Sequence, residues 1–466
     1  MAEIIRREAA DLREGLWPFF EDRNTEKGEE MNRLIRKTEE HVYPGRTGRF
    51  AAAGAAGSVS PAAARTFSIT WIAIIAFLAL AFLFLWNTPV SAAKKNLSGV
   101  EVMGSRKQLA GTFNDQGQIV MNVYTKGKGG SSAGYLNSST LNTLCSGDQQ
   151  KTIVIPAGSR VELTNVVYLG SNTTIIADGA TIVMTSKDKG ILSNKPDAVN
   201  YRALTNVKIQ GGTWEITDKK EACSVMAFSH GSNVTIDGVT ILSNYQSHAI
   251  ELIAMKNTTV QNSTLKVQGR KKKKSVEEAL QIDVAAPKTA PVLVQYGKKY
   301  VKGQTCKNIK VLNNTIEGSR GVCANYATAD GNKYKNKFHE NIVIKGNTIT
   351  GYSAEGCTLY NTLNAVVKNN TITTYSTRKN ESYSVGLNIT IQGKAAAKKL
   401  NKSKVTVSGN TVYGYRQGIQ VVTRSSSRYK KAVLKKNKAY ASSEGSAIVT
   451  SGARSVTSKG NSTNKR

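Results

Sequence analysis

One motif returns again and again along the second half of the chain. It reads NVKIQGGTW at 206–214, NVTIDGVTI at 233–241, NTTVQNSTL at 257–265, NIKVLNNTI at 308–316, NIVIKGNTI at 341–349, NAVVKNNTI at 364–372 and KVTVSGNTV at 404–412. Looser copies follow at 431–439 and 455–463, and NTTIIADGATI from 172 is an earlier one. The Asn anchors recur at short intervals, as from 206 to 233, 233 to 257 and 341 to 364, and the longer intervals leave room for loops. A repeat of this length means one supersecondary unit stacked on copies of itself. β-branched residues alternate with polar ones within each copy, which is the period of a strand. Gly or Asn breaks each copy in two, because a sharp corner needs the left-handed backbone those residues tolerate. A third apolar strand precedes each copy, as in AIEL, ALQI, GVCAN, GCTLY, GLNIT and GIQVV. Three strands and three corners per turn predict an all-β, right-handed parallel β-helix of about ten coils over residues 146–466, with successive coils about 4.8 Å apart. Asn at one corner of successive coils (Asn314, Asn347, Asn370, Asn410, Asn437) is expected to form a hydrogen-bonded ladder.

Stacking the third strands on their apolar positions sets a register. Ile250, Leu280, Val322, Cys357, Leu387 and Ile419 point inward. Glu251, Gln281, Cys323, Thr358, Asn388 and Gln420 then point outward, and two residues on so do Ile253, Asp283, Asn325, Tyr360, Thr390 and Val422. This explains why SHAIELIA and EALQIDVA carry carboxylates among apolar residues: alternation turns Glu251 and Asp283 out to a polar strip. The two lie on adjacent coils, offset by two residues, at a Cα separation of about 8 Å. That spacing suits an inverting acid/base pair or a shared Ca²⁺. A second row, His248, Glu278, Arg320 and Glu355, stands at the preceding corner.

KTIVIPAGSRVELTNVVYLGSNTTIIADGATIVM (151–184) resembles the opening coils of the pectate lyase and polygalacturonase superfamily of right-handed β-helices. GGTWEI, HGSNVTIDGVTI, SHAIEL and EALQID are similar to secreted Gram-positive bacterial members of that fold. The resemblance covers roughly residues 140–463 and implies the fold. The polygalacturonase set of Asn-Thr-Asp, paired Asp and Gly-His-Gly is absent, as is a pectate-lyase calcium cluster, so the resemblance does not carry the activity.

Ahead of the solenoid, residues 67–86 (FSITWIAIIAFLALAFLFLW) form an uncharged apolar run long enough to span a bilayer. Small residues follow, as at a signal-peptidase site. The run is read as a transmembrane signal anchor or a signal-peptide core, which places the remainder outside the cell. Residues 1–66 are read as a cytoplasmic extension or an over-long start, ending in an Ala/Gly-rich linker. Residues 96–145 are read as an N-terminal cap. The formal charge is +32. Residues 1–66 balance eleven Lys/Arg against eleven Asp/Glu, so the whole excess lies beyond them. Such a field attracts polyanions; export argues against nucleic acid and leaves acidic polysaccharide or cell-wall glycan. The five cysteines form no CxxC pattern, and an odd number cannot all pair.

The insertions after the third strand are basic and carry tyrosines. They are expected to form a wall beside the strip, with Tyr296, Tyr300, Tyr334 and Tyr429 stacking on sugars. Two functions fit these features. One is an extracellular lyase or glycoside hydrolase acting on an acidic polysaccharide. Glu251, Asp283 and His248 would be its catalytic groups, with Glu251 and Asp283 as candidate calcium ligands. Gln281, Glu278, Arg320, Asn325, Tyr360, Lys298 and Lys299 would contact substrate. The other is a non-catalytic surface protein that binds glycans through the same groove.

Overall fold

The computed structural model describes residues 97–466 apart from 217–222, 244–247, 268–275, 328–329, 331–332, 335, 379–381, 394–396 and 425. The extension 1–66, the apolar segment 67–86 and the RKKKK run at 270–274 lie outside the described residues. Among the described residues no helix is long and apolar enough to cross a membrane.

Strands fall into three sheets of sixteen, eleven and ten members. From Lys151–Val154 onward, each strand pairs in parallel with the equivalent strand one coil on. The chain is therefore a three-sheeted parallel β-helix, with ten strands in the third sheet as the repeat count predicts. The interior is one continuous apolar column that includes Ile175, Ile209, Ile236, Val260, Val311, Ile344, Val367, Val407 and Leu434. Trp214 is its largest fully buried side chain, and its Nε1 donates to Gly211 O at 3.0 Å. No disulfide joins the five cysteines among the described residues, and all but Cys223 are buried.

The expected Asn ladder is present and explains the NNT and GNT sequences. The first residue of each pair takes positive φ: Asn313 at 56°, Gly346 at 72°, Asn369 at 53° and Gly409 at 65°. A Cβ on Gly346 would come within 2.3 Å of Asn313 Oδ1, so the preceding coil restricts that position as well as the dihedral. The second residue, Asn, is buried and bonds upward. Asn347 Nδ2 donates to Asn370 Oδ1 at 2.9 Å, Asn370 to Asn410 at 2.9 Å, and Asn410 to Asn437 at 3.0 Å. The ladder begins at Asn314 and extends one coil beyond the predicted set, to Asn461. A second, exposed ladder joins the motif's leading Asn residues, including Asn206, Asn233, Asn257 and Asn308, all at positive φ.

Residues ahead of the first coil, within the segment read as an N-terminal cap, hold the one long helix among the described residues, α1 (Ala133–Cys145). Ser132 opens it by accepting from Tyr135 N, an N-cap bond. Leu141, Leu144 and Cys145 plug the end of the column. Polar side chains of α1 bond the free backbone edge of the first coil. Asn137 Nδ2 donates to Glu162 O at 3.1 Å, Ser138 Oγ accepts from Thr164 N at 2.9 Å, and Asn142 Oδ1 accepts from Tyr168 N at 3.0 Å. An uncovered edge of this kind templates association. Deleting residues 97–145 is accordingly expected to give aggregated protein in size-exclusion chromatography; a soluble monomer with the parent melting temperature would show that the first coil needs no cover.

Candidate functional site on the third sheet

The inferred register is the observed one. Ile250 pairs with Leu280, Leu280 with Val322, Val322 with Cys357, Cys357 with Leu387 and Leu387 with Ile419. Glu251 and Asp283 therefore turn off the same face on adjacent coils, two residues out of step.

Their exposure departs from the expectation. Glu251 is half-buried and accepts from Ser224 Oγ at 2.8 Å. Asp283 is 0 % exposed and does not belong to a solvated strip. The insertion 285–305 closes over it. Its two short 3-10 turns, Pro291–Tyr296 and Lys298–Val301, pack Leu293, Tyr300 and Val301 on Ile253 and Ala254. The next insertion locks onto the first: Asp330 accepts from Lys288 N and Thr289 N, and Tyr334 Oη donates to Val301 O at 2.9 Å. The basic insertions thus have an apolar underside that reaching for a sheet face requires. Tyr300, Tyr334 and Tyr429 serve that underside or the interior and are buried, which corrects their assignment as sugar-stacking rings. Tyr296 is half-buried against Tyr300. Lys298 and Lys299 do project into solvent.

Burial raises the Asp283 carboxyl well above the ordinary aspartate range, and the nearby Glu251 and Glu278 charges add to this. The Asn325 and Gln281 amides pull the other way. Gln281 Nε2 donates to Oδ1 at 3.1 Å, while Oδ2 has no hydrogen-bond partner. Burial disfavours the charged form, so the fold holds the Asp283 proton more firmly than the unfolded chain does. Over the pH range in which the unfolded chain has released this proton and the native state keeps it, stability falls as pH rises. Asp283→Asn removes that dependence. The variant is expected to be at least as stable as the parent near pH 7, with the difference vanishing near pH 3, where both states are protonated. Urea unfolding at the two pH values checks this. A variant that is less stable at pH 7 and matches the parent at pH 3 would mean that Asp283 is ionised in the fold.

The corner row also comes together, as an internally neutralised chain. Arg320 Nη1 donates to Glu278 Oε1 at 2.6 Å and Arg320 Nε to Glu355 Oε2 at 2.9 Å. All three side chains are buried. His248 Nδ1 lies 2.7 Å from Glu278 O, and since a carbonyl only accepts, that nitrogen carries the proton. Asn388 Nδ2 donates to Glu355 Oε1 at 3.3 Å and Gln420 Nε2 to Asn388 Oδ1 at 2.7 Å. The chain of contacts from His248 through Glu278, Arg320, Glu355 and Asn388 to Gln420 crosses six successive coils. Glu278 and Arg320 are thereby committed to each other. Asn325 is held from behind, its carbonyl accepting from His339 Nε2 at 2.7 Å. Burial lowers the His339 pKa to about 4, so the ring is neutral and its Nδ1 is free to accept from Cys306 N. Tyr360 is half-buried beside Glu355, and its phenol is pushed up by burial. Tyr383, which the repeat does not reveal, lies between the guanidiniums of Arg320 and Arg378, 5.6 and 4.8 Å from its ring centre. It belongs to the insertion between the strands Thr371–Thr374 and Val385–Ile391.

Among solved structures, the chain is similar to the surface adhesin PfbA of Streptococcus pneumoniae, at 17 % identity and a TM-score of 0.51, over 74 % of this chain and 90 % of that one. The fold is that of the parallel β-helix proteins. Weaker likenesses are to the tailspike protein of E. coli bacteriophage HK620 in complex with a pentasaccharide (16 % identity, 65 % of this chain and 53 % of that one, TM-score 0.43) and to the family 28 exopolygalacturonase of Yersinia enterocolitica (12 %, 74 % and 78 %, 0.41). No protein-family model and no curated protein matches the chain. At these identities the likeness to other β-helices concerns the fold, and the chemistry rests on the residues described above.

Proposed function

We infer that this is an extracellular or cell-surface glycan-binding protein whose ligand is an acidic polysaccharide lying along the third sheet. The observation that carries this reading is electrostatic. The carboxyls nearest the sheet face do not present free charge to a ligand: Glu278 and Glu355 share Arg320, and Asp283 is fully buried. Glu251 remains half-exposed. At the rim, Lys288, Lys298, Lys299, Lys302 and Arg424 are not covered by the fold and form no ion pair among the described residues. A polar floor with cationic edges favours an anionic chain. The apolar segment 67–86, if retained, would hold the solenoid at the membrane surface.

A second reading, hydrolysis or elimination by Glu251 and Asp283, draws on one feature: a carboxyl raised by burial beside a second carboxyl is a general-acid arrangement. It requires the 285–305 insertion to open, because Asp283 is sealed beneath it. Calcium fits less well. Among the described residues no group of three or more His, Cys, Asp or Glu is placed to hold a metal, whereas Ca²⁺ takes roughly six to eight oxygen ligands.

A panel of acidic polysaccharides separates the readings, with binding measured by calorimetry and turnover by unsaturated-product absorbance and reducing ends. Salt-sensitive binding without product supports the glycan-binding protein. Product formation that Glu251→Gln abolishes supports the second reading. Failure to bind any acidic polysaccharide at low salt would overturn both.

A further inference from the structure

A pocket of about 220 Å³ opens at the far end of the third sheet, away from Glu251 and Asp283. Its floor comes from consecutive coils: Thr390 on one strand, then Gln420 and Val422 on the next. Arg416 and Arg424 line it from the two ends of the strand Gln417–Thr423. Both are exposed, and neither forms an ion pair among the described residues. Gln417 Oε1, on a side chain lining the same pocket, is buried without a hydrogen-bond partner.

We propose that this pocket is the seat for one anionic sugar unit, bearing a carboxylate or a sulfate ester. The inference rests on the glycan-binding reading and assigns its charge recognition to two residues outside the carboxylate pair. Three properties point the same way. The volume is below the roughly 300–1,000 Å³ of a pocket that encloses a whole ligand, so it suits a single ring of a chain that continues along the sheet. The lining offers the unpartnered Gln417 Oε1 as an acceptor for a sugar hydroxyl, while the Thr390 hydroxyl and the Gln420 side-chain N–H already donate to Asn388. Two guanidiniums without a protein counter-ion supply planar, permanently charged forks that match oxyanions. Val422 gives the ring an apolar surface to rest on.

Four inter-coil steps separate the Asp283 strand from the Gln420 strand, about 19 Å along the axis at the spacing between neighbouring strands. An oligosaccharide of a few units can therefore occupy the pocket without approaching Asp283, and the two regions can be tested apart.

The test uses the full chain with Arg416→Gln and Arg424→Gln, titrated with trimeric oligogalacturonate, with a sulfated oligosaccharide of similar length, and with carboxyl-reduced oligogalacturonate. Each substitution is expected to weaken the anionic ligand it serves about ten- to a hundredfold, the range for a hydrogen bond to a charged group. The reduced, neutral trimer should bind parent and variants alike. Whether the uronate or the sulfated chain shows the loss identifies the anion. Both arginines are exposed, so folding should be unaffected, and matching melting temperatures check this. If the parent binds either anionic chain and both variants bind it within twofold of the parent, the pocket assignment fails while the glycan reading stands. If the parent binds neither chain, the assignment falls together with that reading.

Discussion

Arg320→Leu is expected to destabilise the solenoid by about 3–5 kcal/mol, the cost of leaving a buried charge without its partner. Among the described residues, the guanidinium is the one permanently charged cation that bridges the two buried glutamates. It reaches Glu278 at 2.6 Å and Glu355 at 2.9 Å, and its own charge is held by them against the burial that opposes it. Removing it leaves two carboxyls facing one another in a site with almost no solvent. Arg320→Met combined with Glu278→Gln and Glu355→Gln should recover most of the loss, because charges removed together leave no uncompensated ion. Urea midpoints of the parent, the single variant and the triple variant measure both claims. A single variant within 1 kcal/mol of the parent would show that water reaches the triad, and that the arginine is free to meet a ligand after all.

Asn410→Leu is expected to cost about 3 kcal/mol although it adds apolar volume. Asn410 Oδ1 accepts from both Asn370 N and Asn370 Nδ2, each at 2.9 Å. Its own Nδ2 donates to Val367 O at 2.9 Å and Asn437 Oδ1 at 3.0 Å. Leucine provides none of these bonds. It strands the backbone N–H of Asn370 one coil away, and each buried group left unpaired costs about 1–3 kcal/mol. In a solenoid, stability is a sum over neighbouring coils, so the loss should appear as local opening. Hydrogen exchange is expected to quicken in the coils of Asn370, Asn410 and Asn437, with the coils near Trp214 unchanged. Asn206→Leu on the exposed ladder makes the contrast, since water replaces its partners, although its positive φ adds backbone strain. Uniform acceleration along the whole solenoid would mean that the coils unfold as one unit.

The motif made the architecture legible because every link in it is local or periodic. Alternation assigned inside and outside along each strand, and the Gly/Asn break marked each left-handed corner. Stacking identical units then aligned Ile250 with Leu280, Val322 and Cys357 without knowledge of the intervening loops. The same periodicity placed Asn314 through Asn437 on one ladder, and brought Glu278, Arg320 and Glu355 to one corner row.

What alternation could not convey is what lies above an outward position. Glu251 and Asp283 are equivalent by period, yet one is half-exposed and the other is sealed. The difference comes from the 285–305 insertion, whose Leu293, Tyr300 and Val301 find Ile253 and Ala254 on the sheet. Insertions differ from coil to coil and carry no period, so the fate of their tyrosines and the position of Tyr383 depend on contacts between distant segments. The amino-acid order by itself determined the coil, its register and the direction in which each side chain leaves the sheet, because these follow from backbone geometry repeated at fixed intervals. Only the tertiary structure decided which outward groups meet solvent, which neutralise one another and where cations gather, because burial and charge depend on everything within a few ångströms, whatever its distance along the chain.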